Sequence, residues 1–477
     1  MSIERTAPKG WDIAKLEDVV DILDSKRVPV NAKERETRVG QVPYYGATGQ
    51  VGWIDDYLFD EELVLLGEDG APFLEATKQK AYMIRGKSWV NNHAHVLKAR
   101  NDIPNAYIKY YLDTVDYHEF VTGTTRLKLN QAAMRRIPVP IAPPEQRNHI
   151  VAEIEKQFSR LDEAVVNLKR VKANLKRYKA AVLKAAVEGK LTEDWREQHP
   201  DVEHASKLLE RIRAERRAKW SGKGKYKEPT GPDTSNLPTL QEGWMWCLTD
   251  ALFSYVTSGS RGWAQHYSNE GSLFLRIGNL DHDSIRLDMR EVQLVQPPAG
   301  TEGTRTKVEN GDILVSITAD VGMIAVIPPN IGEAYINQHI ALARPVLGIC
   351  REYLAWYLAA RDGGQKEFRR LQRGATKVGL GLDDIRAVPV PLPPLDEQHQ
   401  IVAEVERHLS AIEELEAAVE ANLTRADRLR QAILTRAFAG KLVNPAMKKT
   451  LDSSRDFPIA AESPSTYGAT RRGRRSR

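Results

Sequence analysis

Two stretches of the chain carry apolar residues at every seventh position. The first series is Ile154, Leu161, Leu168, Leu175 and Val182, and the second contains Val405, Ile412, Val419 and Ile433. This spacing predicts a long helix with one apolar stripe in each stretch. Each stretch ends at a glycine, which is a common helix stop. A single helix would leave its stripe in water, so we expect the two helices to pack together as an antiparallel coiled coil.

The helices belong to a longer internal repeat. The segment Ile-Pro-Val-Pro-Ile at 137–141 recurs as Val-Pro-Val-Pro-Leu at 388–392, and Gly-Lys-Leu at 189–191 recurs at 440–442, both at an offset of 251 residues. A weaker echo relates Asn-Asn-His at 91–93 to Asn-Gln-His at 337–339. A period this long indicates tandem domains rather than a solenoid of short repeats.

The part before each helix mixes short strands with helices. Apolar runs bounded by turn residues predict strands at 61–66 and 312–317, while 105–113 and 352–360 are typical of helices. The predicted fold class is therefore α+β, with two homologous mixed α/β domains, two long antiparallel helices and a pseudo-twofold internal repeat. The predicted boundaries are 1–143 for the first domain, 144–192 for the first long helix, 193–239 for a helical extension and linker, 240–394 for the second domain, 395–444 for the second long helix and 445–477 for a disordered basic tail.

Composition and charge are typical of a globular protein but do not indicate what it binds. Hydrophobic residues make up 42% and charged residues 28%, as in ordinary globular proteins. The N-terminus lacks an apolar leader, no long apolar run occurs and there are two cysteines, so we expect a cytoplasmic protein. The net charge is +5, but five arginines stand in the last seven residues, and the rest of the chain is neutral. The overall charge therefore predicts no particular partner.

No catalytic or metal-binding motif is convincing. The segment 81–88 ends like a phosphate-binding loop, but Ala81 stands where its first glycine belongs. His93 and His95 offer two metal ligands without a third nearby, which favours a structural role. An Asn-Pro-Pro-aromatic methyltransferase motif and a nuclease triplet are both missing. These observations favour a chain that is not an enzyme and that holds no metal or cofactor of its own.

The motifs at the domain borders resemble those of one known family. Each domain opens with Gly-Trp, at 10–11 and 243–244, and ends in Pro-x-Pro followed by Glu-Gln, at 145–146 and 397–398. Each long helix then closes in Gly-Lys-Leu, and the first continues as Thr-Glu-Asp-Trp-Arg to residue 196. Over nearly the whole chain, to about Asn444, this combination resembles the specificity subunit of type I restriction-modification systems.

The resemblance implies a function and a set of partners. The two domains would be target-recognition domains, each reading one half of a bipartite, asymmetric site in double-stranded DNA, and the paired helices would set the distance between the halves. Two methyltransferase subunits using S-adenosylmethionine would dock on the chain, and restriction subunits using ATP and Mg would join them. This chain itself would be non-catalytic.

Side-chain chemistry and position in glycine-containing loops suggest which residues contact DNA, because Arg, Lys, Asn, Thr and Tyr provide donors and acceptors for phosphates and base edges. In the first domain the predicted contacts are Lys26, Arg27, Tyr45, Thr48, Thr125, Arg126 and Lys128. In the second domain they are Arg261, Arg276, Asn279, Thr318, Arg373, Thr376 and Lys377.

Three other functions stay open at this stage. The main alternative is a stand-alone regulatory or architectural DNA-binding protein. A fused enzyme that both methylates and cleaves is disfavoured by the missing motifs. A coiled-coil scaffold without nucleic acid would show no DNA affinity even with partners present.

Overall fold

The structure is a computed structural model and describes residues 7–220, 224–297, 300–372 and 379–442. In the first half the strands are β1 (Asp12–Lys15), β2 (Val20–Ile22), β3 (Val42–Gly46), β4 (Gly49–Ile54), β5 (Phe59–Asp60), β6 (Leu63–Gly67), β7 (Ala81–Ile84), β8 (Lys87–Val90), β9 (Ala94–Ala99), β10 (Val121–Thr122), β11 (Lys128–Leu129) and β12 (Pro138–Ile141). The helices are α1 (Leu16–Val19), α2 (Ala32–Thr37), α3 (Asn105–Leu112), α4 (Gln131–Arg135) and α5 (Pro144–Val187).

The second half repeats this mixture. Its helices are α6 (Glu193–Gln198), α7 (Ala205–Ala218), α8 (Thr249–Leu252), α9 (Thr301–Thr306), α10 (Arg351–Ala359), α11 (Gly364–Leu371), α12 (Leu382–Arg386) and α13 (Leu395–Phe438). Its strands are β13 (Met245–Leu248), β14 (Phe253–Ser258), β15 (Tyr267–Ser268), β16 (Ser272–Leu275), β17 (Leu294–Val295), β18 (Ile313–Ser316), β19 (Ile324–Val326), β20 (Ala334–Ile336), β21 (Ile340–Pro345) and β22 (Pro389–Leu392).

The chain divides into two compact units. One comprises the residues up to Lys169 together with those from Glu420 onward, and the other comprises Arg170–Val419. Each unit therefore contains one of the two repeated domains and a part of each long helix. Helices and sheets occur in both units, which confirms the predicted α+β class.

The sheets repeat strand by strand. In the first unit one sheet has the order β2-β9-β6-β7, and in the second unit its counterpart has the order β14-β21-β18-β19. A further four-stranded sheet in each unit contains one parallel pair, β3 with β8 and β16 with β20. The parallel pairs matter for function because the carboxyl ends of parallel strands lie at the same edge of a sheet.

The Pro-x-Pro segments of the repeat are short strands held by tyrosines. β12 pairs with β1, and β22 pairs with β13, both antiparallel. The hydroxyl of Tyr107 in α3 donates to the Pro140 carbonyl at 2.8 Å, and that of Tyr357 in α10 donates to the Pro389 carbonyl at 2.5 Å. Tyr111 and Tyr353 make the corresponding bonds to proline carbonyls. Burial raises the pKa of Tyr107 and Tyr357, so both hydroxyls keep their protons and act as donors.

In the first unit the beginning of α5 packs against the end of α13. Ile154 and Phe158 share one buried core with Ile433 and Phe438, together with α3 of the domain. At the edge of this contact Arg430 pairs with Asp162. The N-terminal end of one helix therefore meets the C-terminal end of the other, so this segment is antiparallel.

In the second unit the end of α5 packs against the beginning of α13. Leu175 and Ala186 share a core with Val405 and Ile412. The Tyr178 hydroxyl lies 3.0 Å from Nδ1 of His408 across the two helices. This segment is antiparallel as well, which confirms the predicted pairing of the long helices.

The predicted apolar stripes are largely enclosed. Ile154, Leu175, Val182, Val405, Ile412, Val419 and Ile433 are buried. Leu161 and Leu168 are half-buried. Both helices stop just before the glycines that the sequence indicated, and Gly189 and Gly440 have φ values of 70° and 67°. No helix among the described residues has the length and apolar character needed to cross a bilayer.

Candidate nucleic-acid interface

The first domain has a pocket at the carboxyl ends of its parallel strands. Its volume is about 470 Å³. It is lined by Gly46, Ala47, Thr48, Val51, Asp69, Gly70, Asn91, His93, Thr125 and Arg126. These residues belong to the β3–β4 hairpin, the segments after β6 and β8, and the loop between β10 and β11, so four separate segments of the sequence meet here.

The second domain has a smaller pocket at the equivalent edge. Its volume is about 310 Å³, and Arg276, Ile277, Gly278, Asn279, Glu291 and Asn337 line it. Arg276 follows β16 and Asn337 follows β20, just as Gly46 closes β3 and Asn91 follows β8. Each domain therefore places a polar pocket at the same point of the repeated fold.

The same backbone turn borders both pockets, and we call it the Asn-x-His turn (Asn91–His93 and Asn337–His339). Its first amide, that of Asn91, donates to the Tyr45 carbonyl at 3.1 Å, and that of Asn337 donates to the Leu275 carbonyl at 3.0 Å. The Asn side chain then accepts from the histidine amide, at 2.8 Å in the first domain and 3.1 Å in the second.

The backbone carbonyl of the turn's histidine also makes equivalent hydrogen bonds in the two domains. It accepts from the Glu68 amide at 2.8 Å in the first domain and from the Ile317 amide at 2.9 Å in the second. The Glu68 and Ile317 carbonyls in turn accept from the amides of Leu129 and Leu380, at 2.7 and 2.9 Å. The backbone around the pockets is thus the same in both domains, although the side chains differ.

Residues at equivalent positions also lie beside the two histidine rings. Nδ1 of His93 lies 2.7 Å from Oδ1 of Asp69, the residue after Glu68. Nδ1 of His339 lies 2.5 Å from Oγ1 of Thr318, the residue after Ile317. The Asp69 oxygen also binds Arg126 at 2.9 Å. The Thr318 hydroxyl therefore hydrogen-bonds the His339 ring, whereas the Asp69 carboxylate lies beside the His93 ring without a hydrogen bond to its Nδ1.

Several predicted DNA contacts gather at these pockets. Thr48, Thr125 and Arg126 line the first, and Tyr45 precedes it in β3. Arg276 and Asn279 line the second, and Thr318 binds the nearby His339. Lys26, Lys128 and Arg261 are exposed. Arg373, Thr376 and Lys377 lie outside the described residues.

The loop that carries Arg261 approaches the second pocket closely. The amide of Ser260 donates to the Ile336 carbonyl at 3.1 Å, just before the Asn-x-His turn. A Cβ atom on Gly259 would stand 1.9 Å from the Asn337 carbonyl oxygen, so this position requires glycine. The predicted loop and the turn are therefore neighbours, and the glycine makes their contact possible.

Two predicted contacts have their polar atoms engaged inside the protein. Nη1 of Arg27 donates to Glu68 and to the Ala94 carbonyl, both at 2.7 Å. The side-chain nitrogen Nδ2 of Asn279 donates to the backbone carbonyls of Asp288 and Glu291 at 2.8 and 2.9 Å. Both side chains therefore hold the loops around the pockets. DNA contact by all the predicted residues stays a prediction.

A buried polar network lies close to the first pocket in the fold and escaped the sequence analysis. Oδ2 of Asp24 lies 2.7 Å from Nδ1 of His95, whose Nε2 lies 2.9 Å from the Leu129 carbonyl oxygen. Each of the two ring nitrogens therefore lies within hydrogen-bond distance of an oxygen atom. Burial alone would raise the pKa of Asp24, but the bond and charge of His95 and the bonds from Val96 and Gln131 hold it below its ordinary value.

The ligand atoms of Asp24, Glu68 and His95 lie within 4.8 Å of one another, a spacing that suits a metal ion. Arg27, however, binds Glu68 at 2.7 Å, and its other terminal nitrogen lies 3.5 Å from Asp24. A guanidinium therefore already supplies the positive charge that the two carboxylates attract. The arrangement fits the structural role that the sequence favoured for His95.

A second buried network joins the first helix's end to the second domain's border. Glu397 is fully buried and its Oε1 accepts from Thr192 at 2.7 Å and from Arg196 at 2.9 Å. Its Oε2 accepts from the indole of Trp244 at 2.7 Å. The Gly-Trp, Glu-Gln and Gly-Lys-Leu-Thr motifs thus meet at one carboxylate, which explains why they occur together.

Comparison with known proteins agrees with this arrangement. Residues 8–174 and 302–425, more than half of the chain, match the family model described as type I restriction modification DNA specificity domain. The chain is 22% identical over 444 residues to the EcoDI specificity subunit of Escherichia coli, covering 91% of this chain and 89% of that protein. It is 24% identical to the EcoKI specificity subunit of E. coli strain K12 over 73% of this chain and 68% of that protein.

Other relatives match over shorter parts. A putative type I restriction enzyme specificity subunit of Haemophilus influenzae is 34% identical over 28% of this chain, and the match spans 34% of that protein. The match to the EcoBI specificity subunit of E. coli spans 64% of that protein. A chain from a structural study of complex assembly and conformational transition of the type I R-M system has a similar fold, with a TM-score of 0.58, 16% identity and coverage of 91% and 99% of the two chains. With its repeated domains, paired helices and family match, this chain belongs to the type I restriction modification DNA specificity domain family.

Proposed function

We propose that the chain is the DNA sequence-specificity subunit of a type I restriction-modification complex. In this proposal each domain recognises one half of a bipartite, asymmetric site in double-stranded DNA. The observation that carries the proposal is the repeated pocket, in which the same backbone turn is surrounded by different side chains in the two domains. A constant backbone with variable side chains is what two readers of different half-sites require, since side chains at base edges determine sequence.

The proposal assigns chemistry to partner chains. Two methyltransferase subunits would bind S-adenosylmethionine and methylate adenine, and restriction subunits would use ATP and Mg. This chain would contribute recognition and a scaffold rather than a reacting group. Its two cysteines suit such a role, because burial raises the pKa of Cys247 to about 12 and that of Cys350 to about 11, which leaves both as weakly nucleophilic thiols.

Co-expression with a methyltransferase encoded beside this gene tests the proposal. The two proteins are expected to purify together, and single-molecule sequencing is expected to find methylated adenines in one bipartite motif. Specific DNA binding by this chain alone, with no methyltransferase bound and no motif methylated, would favour a stand-alone regulatory protein instead. Absence of DNA binding by the assembled complex would contradict both functions.

A further inference from the structure

The middle residue of each Asn-x-His turn is an amide, Asn92 in the first domain and Gln338 in the second. The flanking residues anchor the turn: the asparagine side chain accepts from the histidine backbone amide, and the histidine carbonyl accepts from the Glu68 or Ile317 backbone amide. Asn92 is exposed and Gln338 is half-buried. In the first turn the middle side chain is the exposed one, whereas in the second turn all three side chains are half-buried.

Both strands of the parallel pair position the turn that carries each of these amides. The turn follows the second strand of the parallel pair, and its first amide is bonded to the end of the first strand. Asn91 and His93 line the first pocket, and Asn337 lines the second. Each middle amide is therefore next in sequence to a residue that lines its pocket, on a turn that three matched hydrogen bonds hold in each domain.

Amide side chains have a specific use at DNA. Asn and Gln can donate to one atom of an adenine edge and accept from its neighbour at the same time, which distinguishes adenine from the other bases in the major groove. Within the described part of the chain, no neighbouring side chain makes a hydrogen bond to the Asn92 side-chain amide. The amide nitrogen of Gln338 lies 3.3 Å from Nε2 of His339, a long contact that leaves its carbonyl oxygen for a ligand.

We infer that the Asn-x-His turns are the specificity-determining elements of the two domains, and that Asn92 and Gln338 each contact the edge of one base, preferably adenine, in their respective half-sites. This inference rests on the function proposed above and adds to it the residues that choose the base. It also explains why the turn is kept in both domains while its middle residue differs in length.

The test is the methylation motif of the complex with its methyltransferase. Asn92→Ala is expected to reduce discrimination at one position of the first half-site about tenfold or more, because a good bidentate contact is worth about 1–3 kcal/mol. The second half-site should be unchanged. Gln338→Ala should have the mirror-image effect. Asn148→Ala and Gln296→Ala replace exposed amides elsewhere and should alter neither half.

Conservative variants cover the case in which alanine abolishes methylation. Asn92→Gln and Gln338→Asn keep the amide and are expected to retain methylation with an altered preference at the same single position. If the wild-type complex yields no bipartite motif, the proposed function fails. If the wild-type motif appears and all four variants leave both halves unchanged, the inference about the turns alone is overturned.

Discussion

The indole nitrogen of Trp244 lies 2.7 Å from Oε2 of Glu397, and this bond joins the start of the second domain to the start of the second long helix. The other oxygen of Glu397 accepts from Thr192 and Arg196, which follow the first long helix. One buried carboxylate thus joins three sequence motifs at a single junction within the second unit.

This junction predicts a large stability difference between the glutamates of the two Glu-Gln motifs. Glu397→Ala leaves the Arg196 guanidinium and the Trp244 indole without their partner, so we expect the free energy of unfolding to fall by about 3 kcal/mol or more. Glu145, the glutamate of the Glu-Gln motif in the first repeat, is exposed. Glu145→Ala should change stability by less than about 0.5 kcal/mol. Urea denaturation of both variants measures the difference, and equal effects would refute the role of the junction.

The tyrosine contacts to the Pro-x-Pro strands are a second source of stability. Tyr107→Phe removes the bond to the Pro140 carbonyl and also the acceptor of the Ala142 amide at 3.2 Å. Leaving these groups unpaired should cost about 1–3 kcal/mol. Tyr57 is exposed and gives a matched control, because Tyr57→Phe should leave the urea midpoint unchanged. A midpoint shift of the same size in both variants would argue against the specific bond.

The sequence predicted much of this fold because its signals are local. Apolar runs located β6 and β18, the seven-residue spacing located both long helices, and the glycines located their ends. The Asn-x-His echo was visible as a pattern of three residues. The position of this turn beside a pocket was not predictable. It depends on backbone hydrogen bonds to Tyr45 and Leu275, which stand 46 and 62 residues earlier in the sequence.

The parts that the sequence did not predict depend on contacts between distant residues. Asp24 and His95 are 71 residues apart, and Arg196 and Glu397 are 201 residues apart. Arg27 looked like a phosphate contact because arginines in loops often are, but its neighbours in space are carboxylates. Pairing of buried charges is a property of the folded chain, and a single sequence carries no local sign of it.

Adjacent residues Lys26 and Arg27 should therefore behave differently. Lys26 is exposed, so Lys26→Ala should weaken binding of the complex to all DNA sequences similarly and lower the slope of log affinity against log salt by about 1. Arg27→Ala should instead lower the melting temperature, because Glu68 and Asp24 lose their cation. Binding titrations at several salt concentrations and thermal melts separate the two effects. Identical behaviour of the variants would contradict the assignment.

The Asp24 network predicts a stability change in acid. Because folding lowers the pKa of Asp24 below its ordinary 3.8, its carboxylate stabilises the folded state above about pH 4, and this contribution is lost as the pH falls through the lower folded-state value. Asp24→Asn should therefore be less stable than the wild type at pH 7, and the gap should narrow below pH 4. Urea midpoints at pH 7, 4 and 3 measure this gap. Asp12→Asn, at an exposed site, is the control, and a gap that stays constant with pH would exclude the network's role.

The central claim is that the two domains read two half-sites independently. Exchange of residues 1–143 for the first domain of a family member with another recognition sequence, in the complex with the methyltransferase, tests it most directly. Single-molecule mapping of methylated adenines should show a new first half-motif and an unchanged second half, and exchange of residues 240–394 should do the reverse. A change in both halves after exchange of one domain would contradict the account.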